Sequence, residues 1–322
     1  LPVDQHAVGT PLLVALSLVL SVVTWRFVER PVRQRQSRTI ALALVGTAAA
    51  LAVALTTVQL KFTPDDWAFW NPVAAKVARF EANYPYEGDA KFGTCWLVDE
   101  RKPALPQCIE LEPPELPLVM VWGDSHAARL TAGLRALQAE ATRPVFRLGQ
   151  RTRSSCPPLF GVGSDICVEA NEAVLVELRR VQPTVLILDA RWRLYPNQTL
   201  LRESLVKLRA ALPRTAVVVV GPVPEWRVTL PWVLSMRVHG DTIPERSMPI
   251  GLPEQRELDR LIAETVTSTH TRFVSAIDEL CTSSGDCLVK LADEPLMLTS
   301  WDYGHLTTPA ARLIGVRLLS EW

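Results

Sequence analysis

The chain has 322 residues, 48% of them hydrophobic, and carries 34 Lys+Arg against 34 Asp+Glu. That is enough apolar material to fill the core of a large domain, which excludes an intrinsically disordered chain. A net charge of zero gives no footing for a nucleic acid or an acidic polymer as the partner.

Leu1 to Thr10 lacks the basic start of a signal peptide, so the chain reads as a piece of something longer. Pro11 to Val28 is apolar up to Arg26, with Trp25 and Phe27 placed as aromatic residues are at a membrane interface. Thr39 to Leu60 runs for 22 residues without a charge, against the roughly 20 needed to cross a hydrocarbon core of about 30 Å. Two membrane helices are expected, the alternative being a buried hairpin of a soluble core. Between them Arg26, Arg30, Arg33, Arg35 and Arg38 face the single acid Glu29. Such a basic loop belongs in the cytoplasm, which places residues after about 61 outside it.

Residues 62–115 are rich in Pro, Trp and Tyr and read as an irregular linking extension packed on the domain that follows, with a helical stretch near Pro72 to Ala82. From Leu116 strand and helix alternate. Strands are expected at Leu116–Trp122, Pro144–Leu148, Thr184–Leu188, Thr215–Gly221 and Arg272–Ala276. Helices are expected at Ala127–Glu140, Cys167–Val181, Leu200–Leu212, Pro253–Thr269 and Thr308–Leu319. Apolar strands alternating with helices predict an α/β domain over 116–322 whose parallel sheet is covered on both faces. Pro222 to Gly251, holding Trp226, Trp232 and His239, is long enough for an acceptor-binding loop or lid. The cysteines fall into the local pairs Cys95 and Cys108, Cys156 and Cys167, and Cys281 and Cys287, without metal-ligand spacing. Three short-loop disulfides in an oxidising compartment is the natural reading, free buried thiols the alternative.

In such sheets chemistry sits beyond the carboxyl ends of the strands. Gly123-Asp124-Ser125-His126 follows the first strand, so Ser125 is expected at a strand end with helix amides behind it, and Gly123 allows a tight turn and is a candidate on the oxyanion or substrate side of the site. The bland alternative is a helix cap. Near the end of the chain Asp302 precedes His305 by three residues, a spacing that lets Asp302 orient His305 as base for Ser125. His126 is expected to be structural, and His6, His239 and His270 solvated.

The Gly-Asp-Ser-His run resembles the first block of the SGNH hydrolase superfamily, and Asp302-x-x-His305 its last. The loop Trp25 to Arg33 resembles the end of the acyltransferase family 3 membrane domain. The resemblance implies an SGNH-like three-layer sandwich preceded by two transmembrane helices, with residues 1–61 the last spans of the membrane domain. It implies the bacterial inner membrane with a periplasmic catalytic domain, an upstream acyltransferase membrane domain as partner, and a surface-glycan acceptor such as lipopolysaccharide O-antigen. No cofactor is expected in this fragment, acetyl-CoA being the donor to the upstream domain. Ser154 to Leu159 is similar to a Cys-Pro-Pro loop of the fused family, where amides near Ser155 and Cys156 would serve the oxyanion. The superfamily's asparagine after the third strand is missing from Leu188-Asp189-Ala190-Arg191-Trp192. That loss would cost on the order of 3 kcal/mol unless replaced. Arg191, the Trp192 amide and Asn171 are the candidate replacements, with a surface or acceptor-binding charge the alternative for Arg191. Trp192 and Trp226 are the tryptophans expected near the site. Transfer of an acetyl group through a Ser125 acyl-enzyme is the reading that results. A carbohydrate O-deacetylase and a non-catalytic glycan-binding domain are the alternatives.

Overall fold

The computed structural model describes residues 71–98, 106–142 and 145–320, with isolated positions at 22, 25, 26 and 30. The chain divides into two compact units, Leu1–Thr63 and Pro64–Trp322. Those isolated positions apart, both expected membrane spans and the arginine loop lie outside the described residues, as does His6. Among the described residues no helix is long and apolar enough to cross a membrane.

The second unit opens with α1 (Pro72–Ala78), whose first turn is capped by Asn71: its side-chain oxygen accepts from the Val73 and Ala74 amides at 2.9 and 3.1 Å. Two single-turn helices follow, α2 (Phe80–Asn83) and α3 (Tyr86–Asp89), then the short strand β1 (Trp96–Leu97). The alternating part runs β2 (Leu118–Gly123), α4 (Ser125–Glu140), β3 (Arg147–Arg153), α5 (Asp165–Val181), β4 (Val185–Asp189), α6 (Gln198–Ala211) and β5 (Ala216–Val220). After it come α7 (Leu230–Ser235), β6 (Arg246–Ser247), α8 (Leu252–Thr267), β7 (Arg272–Val274), α9 (Ala276–Leu280), β8 (Cys287–Leu288), β9 (Lys290–Asp293), β10 (Leu296–Leu298) and α10 (Thr308–Leu319).

Six strands form one parallel sheet in the order β1-β3-β2-β4-β5-β7. The twofold period of a strand sends its residues to opposite faces. Val119, Val121, Val185, Ile187, Val218 and Val220 pack with Leu130 and Leu134 of α4 and Ile314 and Leu318 of α10. Met120, Trp122, Leu186, Leu188, Val217 and Val219 pack with α5, α6 and α8 through Leu178, Leu205 and Ile262. The result is a three-layer α/β sandwich with a central parallel sheet. Its edge strand β1 comes from the extension, which therefore shares the compact unit of the sheet.

A third core lies against this sandwich. Val77, Phe80 and Tyr84 of the extension meet Trp226, Leu230 and Leu234 of the segment after β5, together with Leu298 and Trp301. All six cysteines pair with their sequence neighbours, as Cys95–Cys108, Cys156–Cys167 and Cys281–Cys287. The first joins β1 to the turn at Pro106–Cys108, and the second ties the loop after β3 to α5.

Candidate active site

β2 ends in Gly123 and α4 begins at Ser125, so one residue, Asp124, makes the turn. Asp124 caps the helix, one carboxylate oxygen accepting from the His126 amide at 2.8 Å. Its other oxygen accepts from the Arg191 amide at 2.9 Å, which ties the end of β4 to the end of β2. Ser125 is therefore held at the first turn of a 16-residue helix. The partial positive charge of that terminus favours an oxyanion there. Among the described residues the Ser125 amide has no acceptor, which leaves it for such a charge.

The partner comes from the loop before α10, closed by a bridge between Ser300 and Leu306. Asp302 Oδ1 accepts from the amides of Gly304 and His305 at 2.9 and 2.8 Å, so the carboxylate folds its own loop. Its Oδ2 lies 2.5 Å from His305 Nδ1, and His305 Nε2 lies 2.7 Å from Ser125 Oγ. Ser125, His305 and Asp302 thus form one connected chain. Both ring nitrogens are committed: Nδ1–H donates to Asp302, which leaves Nε2 to accept from the serine hydroxyl.

Residues that sequence reasoning did not single out hold this loop to the nucleophile's helix. Arg129, one turn beyond Ser125 and 1% exposed, donates to the carbonyls of Leu306 and Tyr86 and to the hydroxyls of Tyr84 and Thr308. Trp301 stacks on the His305 ring at 5.1 Å and 14°, and on Tyr86 at 5.1 Å and 2°. The imidazole therefore rests on aromatic rings fixed in part by the extension. α4 and α10 also touch closely: a Cβ at Gly133 would lie 2.4 Å from the Ala311 backbone. Arg129 had one visible signal, a lone charge among the Ala and Leu of an otherwise apolar turn.

Several expected members of the site are placed elsewhere. Trp192 is a core residue, 1% exposed, its indole N–H donating to the Val220 carbonyl at 2.6 Å and its amide to Ala190. Asn171 spends its amide on the carbonyls of Pro157 and Leu159, both at 2.8 Å, and accepts from the Trp122 indole, so it shapes a loop rather than serving an oxyanion. The Cys156 amide is bound to the Arg153 carbonyl, and Ser155 is an exposed turn residue at φ 57°. With its amide on Asp124, Arg191 pairs its guanidinium with Glu225 at 2.8 Å and lies 3.8 Å over the Tyr303 ring. Trp226 is buried in the third core, its amide donating to the Tyr303 carbonyl at 2.7 Å. Together with the Leu230 amide on the Asp302 carbonyl, this ties residues 226–230 of the segment after β5 to the catalytic loop. His126 is buried behind the site, its ring 4.8 Å from that of His305, and burial lowers its pKa well below the ordinary value, so it is neutral. His239 and His270 are exposed.

Two buried carboxyls sit beneath Ser125. Burial pushes Asp124 up to about 6, although the Arg191 and His126 amides favour its charged form. Asp189, at the end of β4, is raised well above the usual carboxylate range, first by burial and then by the charge of Asp124, and its Oδ1 has no hydrogen-bond partner. A carboxyl whose folded pKa is raised makes the native state bind more protons than the unfolded chain, so its contribution to stability falls as pH rises above the unfolded value of about 4. His126 acts in the opposite sense, since its folded pKa is lowered and stability is lost as pH falls below about 6.5. The comparison that isolates the carboxyl is Asp189→Asn, which is expected to raise the melting temperature at pH 7, with a gain that shrinks towards pH about 4. Thermal unfolding of both proteins across that range checks it. A variant less stable at pH 7 would mean that Asp189 is ionised and bonded in the native protein.

Two cavities border this region. One of about 360 Å³, between β3, α5 and the first two disulfides, reaches Gly123 but is lined by neither Ser125 nor His305. The other, of about 670 Å³, lies on the Arg191 and Tyr303 side and is likewise lined by neither Ser125 nor His305; it reaches the catalytic loop through Tyr303.

A family model described as an SGNH domain fused to AT3 domains matches residues 86–320. The periplasmic domain of a lipopolysaccharide acetyltransferase from Salmonella ser. Paratyphi A superposes with a TM-score of 0.64 at 26% identity, over 74% of this chain and 97% of that one. A peptidoglycan O-acetylesterase reaches a TM-score of only 0.34 at 12% identity, over 56% of this chain and 47% of that one, too distant to carry an argument. No curated protein matches the chain.

Proposed function

Because the chain belongs to the family of SGNH domains fused to AT3 domains, we propose that this acyl-handling domain is an O-acyltransferase, moving an acetyl group through Ser125 to a hydroxyl of a bacterial surface glycan such as lipopolysaccharide O-antigen. The observation that carries the proposal is the unbroken chain from Asp302 Oδ2 through His305 to Ser125 Oγ, with contacts of 2.5 and 2.7 Å. The likeness to the Salmonella domain supports transfer and a lipopolysaccharide acceptor.

The chemistry follows from those contacts. His305 Nε2 takes the Ser125 proton as Oγ attacks the donor's carbonyl carbon, and Asp302 stabilises the imidazolium that results. The oxyanion forms against the start of α4, where the Ser125 amide donates to it. Collapse breaks the bond to the donor's leaving group, which departs with the proton from His305. A glycan hydroxyl then gives its proton to Nε2 and attacks the acyl carbon, and Ser125 Oγ leaves and takes the proton back.

In this reading residues 1–61 are the last spans of an acyltransferase membrane domain in the inner membrane, supported by the uncharged run Thr39 to Leu60 and the five arginines before it. The catalytic unit then faces the periplasm, where its disulfides are stable. Acetyl-CoA is the cytoplasmic donor to the upstream domain. The deciding measurement is the O-acetyl content of surface glycan in cells carrying the protein with Ser125 or with Ser125→Ala. Loss of acetyl in the variant is the expected result. A gain would make the enzyme a deacetylase, and no change would remove Ser125 from the transfer path.

A further inference from the structure

The groove of about 670 Å³ beside Tyr303 has the volume of a ligand site and no role in the steps above. Its walls are the turn after β4 with Arg191 and Arg193, the segment after β5 with Trp226 and Arg227, and the start of α8 with Glu254. Those walls are tied to one another. Arg191 lies on the Tyr303 ring, Trp226 is bonded to the Tyr303 carbonyl, and Gln255 exchanges hydrogen bonds with the Glu225 backbone at 2.8 and 2.9 Å.

The charges of the groove do not cancel. Glu225, 5% exposed, lies beneath two guanidiniums: it grips Arg191 at 2.8 Å and stands 3.8 Å from Arg193, whose side chain is 64% exposed. Arg227 is exposed and pairs with no acid among the described residues. Three arginines thus line the groove with one carboxylate, Glu254, while Glu225 lies beneath Arg191 and Arg193, and the two cations with free donors, Arg193 and Arg227, are the ones directed to solvent. Planar guanidinium forks with unspent donors match carboxylate and phosphate oxygens in pairs.

We propose that this groove is the acceptor subsite and that it selects a glycan bearing an anionic group. Arg193 and Arg227 hold that group while a nearby hydroxyl of the same saccharide meets the acyl carbon on Ser125. The assignment rests on the acyl-transfer reading for the word acceptor. It does not rest on it for the ligand class, which comes from the groove's own charge.

The test is isothermal titration of the full chain with a galacturonate trisaccharide, with the matched neutral galactose trisaccharide and with galactose 6-phosphate, repeated on an Arg193→Ala/Arg227→Ala double variant. The acidic trisaccharide is expected to bind about tenfold more tightly than the neutral one at low salt, the value of one charge-assisted pair. That preference should shrink at high salt and vanish in the double variant. Displacement of the galacturonate by galactose 6-phosphate would extend the site to phosphate, and failure to displace it would restrict the site to carboxylates. Equal binding of the two trisaccharides, no binding of any, or a preference that survives the double variant would overturn the proposal. Labelling of wild-type Ser125 with a fluorophosphonate in parallel reads the acyl-transfer assignment by itself: without labelling that assignment falls, while the isotherms still decide the groove.

Discussion

Asp302→Asn should reduce turnover of a small acyl ester by about four orders of magnitude while leaving the protein folded. The size follows from the two jobs of this carboxylate. Oδ1 receives the Gly304 and His305 amides, and Oδ2 faces His305 Nδ1. An asparagine can keep its oxygen on the two amides only by turning its NH2 towards Nδ1. That nitrogen must then accept, the ring proton moves to Nε2, and Nε2 can no longer take the proton of Ser125. Turned the other way, the NH2 would confront two backbone N–H groups and the loop would lose its fold. Either arrangement removes the base. The checks are kcat for the ester, the rate of fluorophosphonate labelling and the melting temperature, measured together. A variant that keeps turnover within about tenfold of the wild type would show that something other than Asp302 orients His305.

Gly123→Ala should cost both stability and activity. A Cβ at residue 123 would lie 1.7 Å from the Asp189 carbonyl oxygen and 2.8 Å from the Ala127 Cβ, and φ there is +158°. The first clash is with backbone, so it cannot be relieved by a rotamer. The ends of β2 and β4 must part, although Gly123 and Asp189 are register partners and Asp124 bonds the Arg191 amide just beyond them. Overpacking of this kind costs about 1–3 kcal/mol and more where backbone must move. A displacement of Ser125 by about 1 Å costs roughly a hundredfold in rate. The expected result is a melting temperature several degrees lower and turnover reduced by about a hundredfold or more. Wild-type values for both would mean that the strand ends do not approach this closely.

The sandwich was legible because its long elements obey simple periods. Helix α10 lies where the pattern places it, Thr308–Leu319, and β2, β4 and β5 are apolar runs bounded by turn residues. β3 departs from the pattern: expected at Pro144–Leu148, it is Arg147–Arg153, because Gln150 and Arg151 look like the end of a strand. Both are buried, and their partners are remote: the Gln150 amide donates to the Ala90 carbonyl and Arg151 pairs with Glu177. No local pattern records such partners. The same holds for β1, two residues long, and for the small strands after Cys287, which are too short for periodicity to mark. In the site, Asp302 and His305 were legible because three residues in one loop fix their relation, whereas Ser125 needed the topology to bring it across 180 residues. Of the two tryptophans expected near the site, Trp226 borders the groove beside Tyr303, whereas Trp192 is a core residue whose indole donates to the Val220 carbonyl. Asp189 carries a signal beyond the missing asparagine: it is a carboxyl ending a fully buried strand.

The third core bears on where the catalytic unit can be severed from the rest of the chain. A cut before Leu116, where the strand-helix alternation begins, would strip away β1, the Cys95–Cys108 bridge, and the Tyr84 and Tyr86 groups that Arg129 and Trp301 hold. Trp226, Leu230, Leu234 and Trp301 would be left bare to water, a sticky patch of the kind that drives aggregation. Even a cut at residue 86 would discard Val77, Phe80 and Tyr84. The smallest piece that can be detached intact therefore begins ahead of the Asn71 cap, and the extension is a buttress of the catalytic loop.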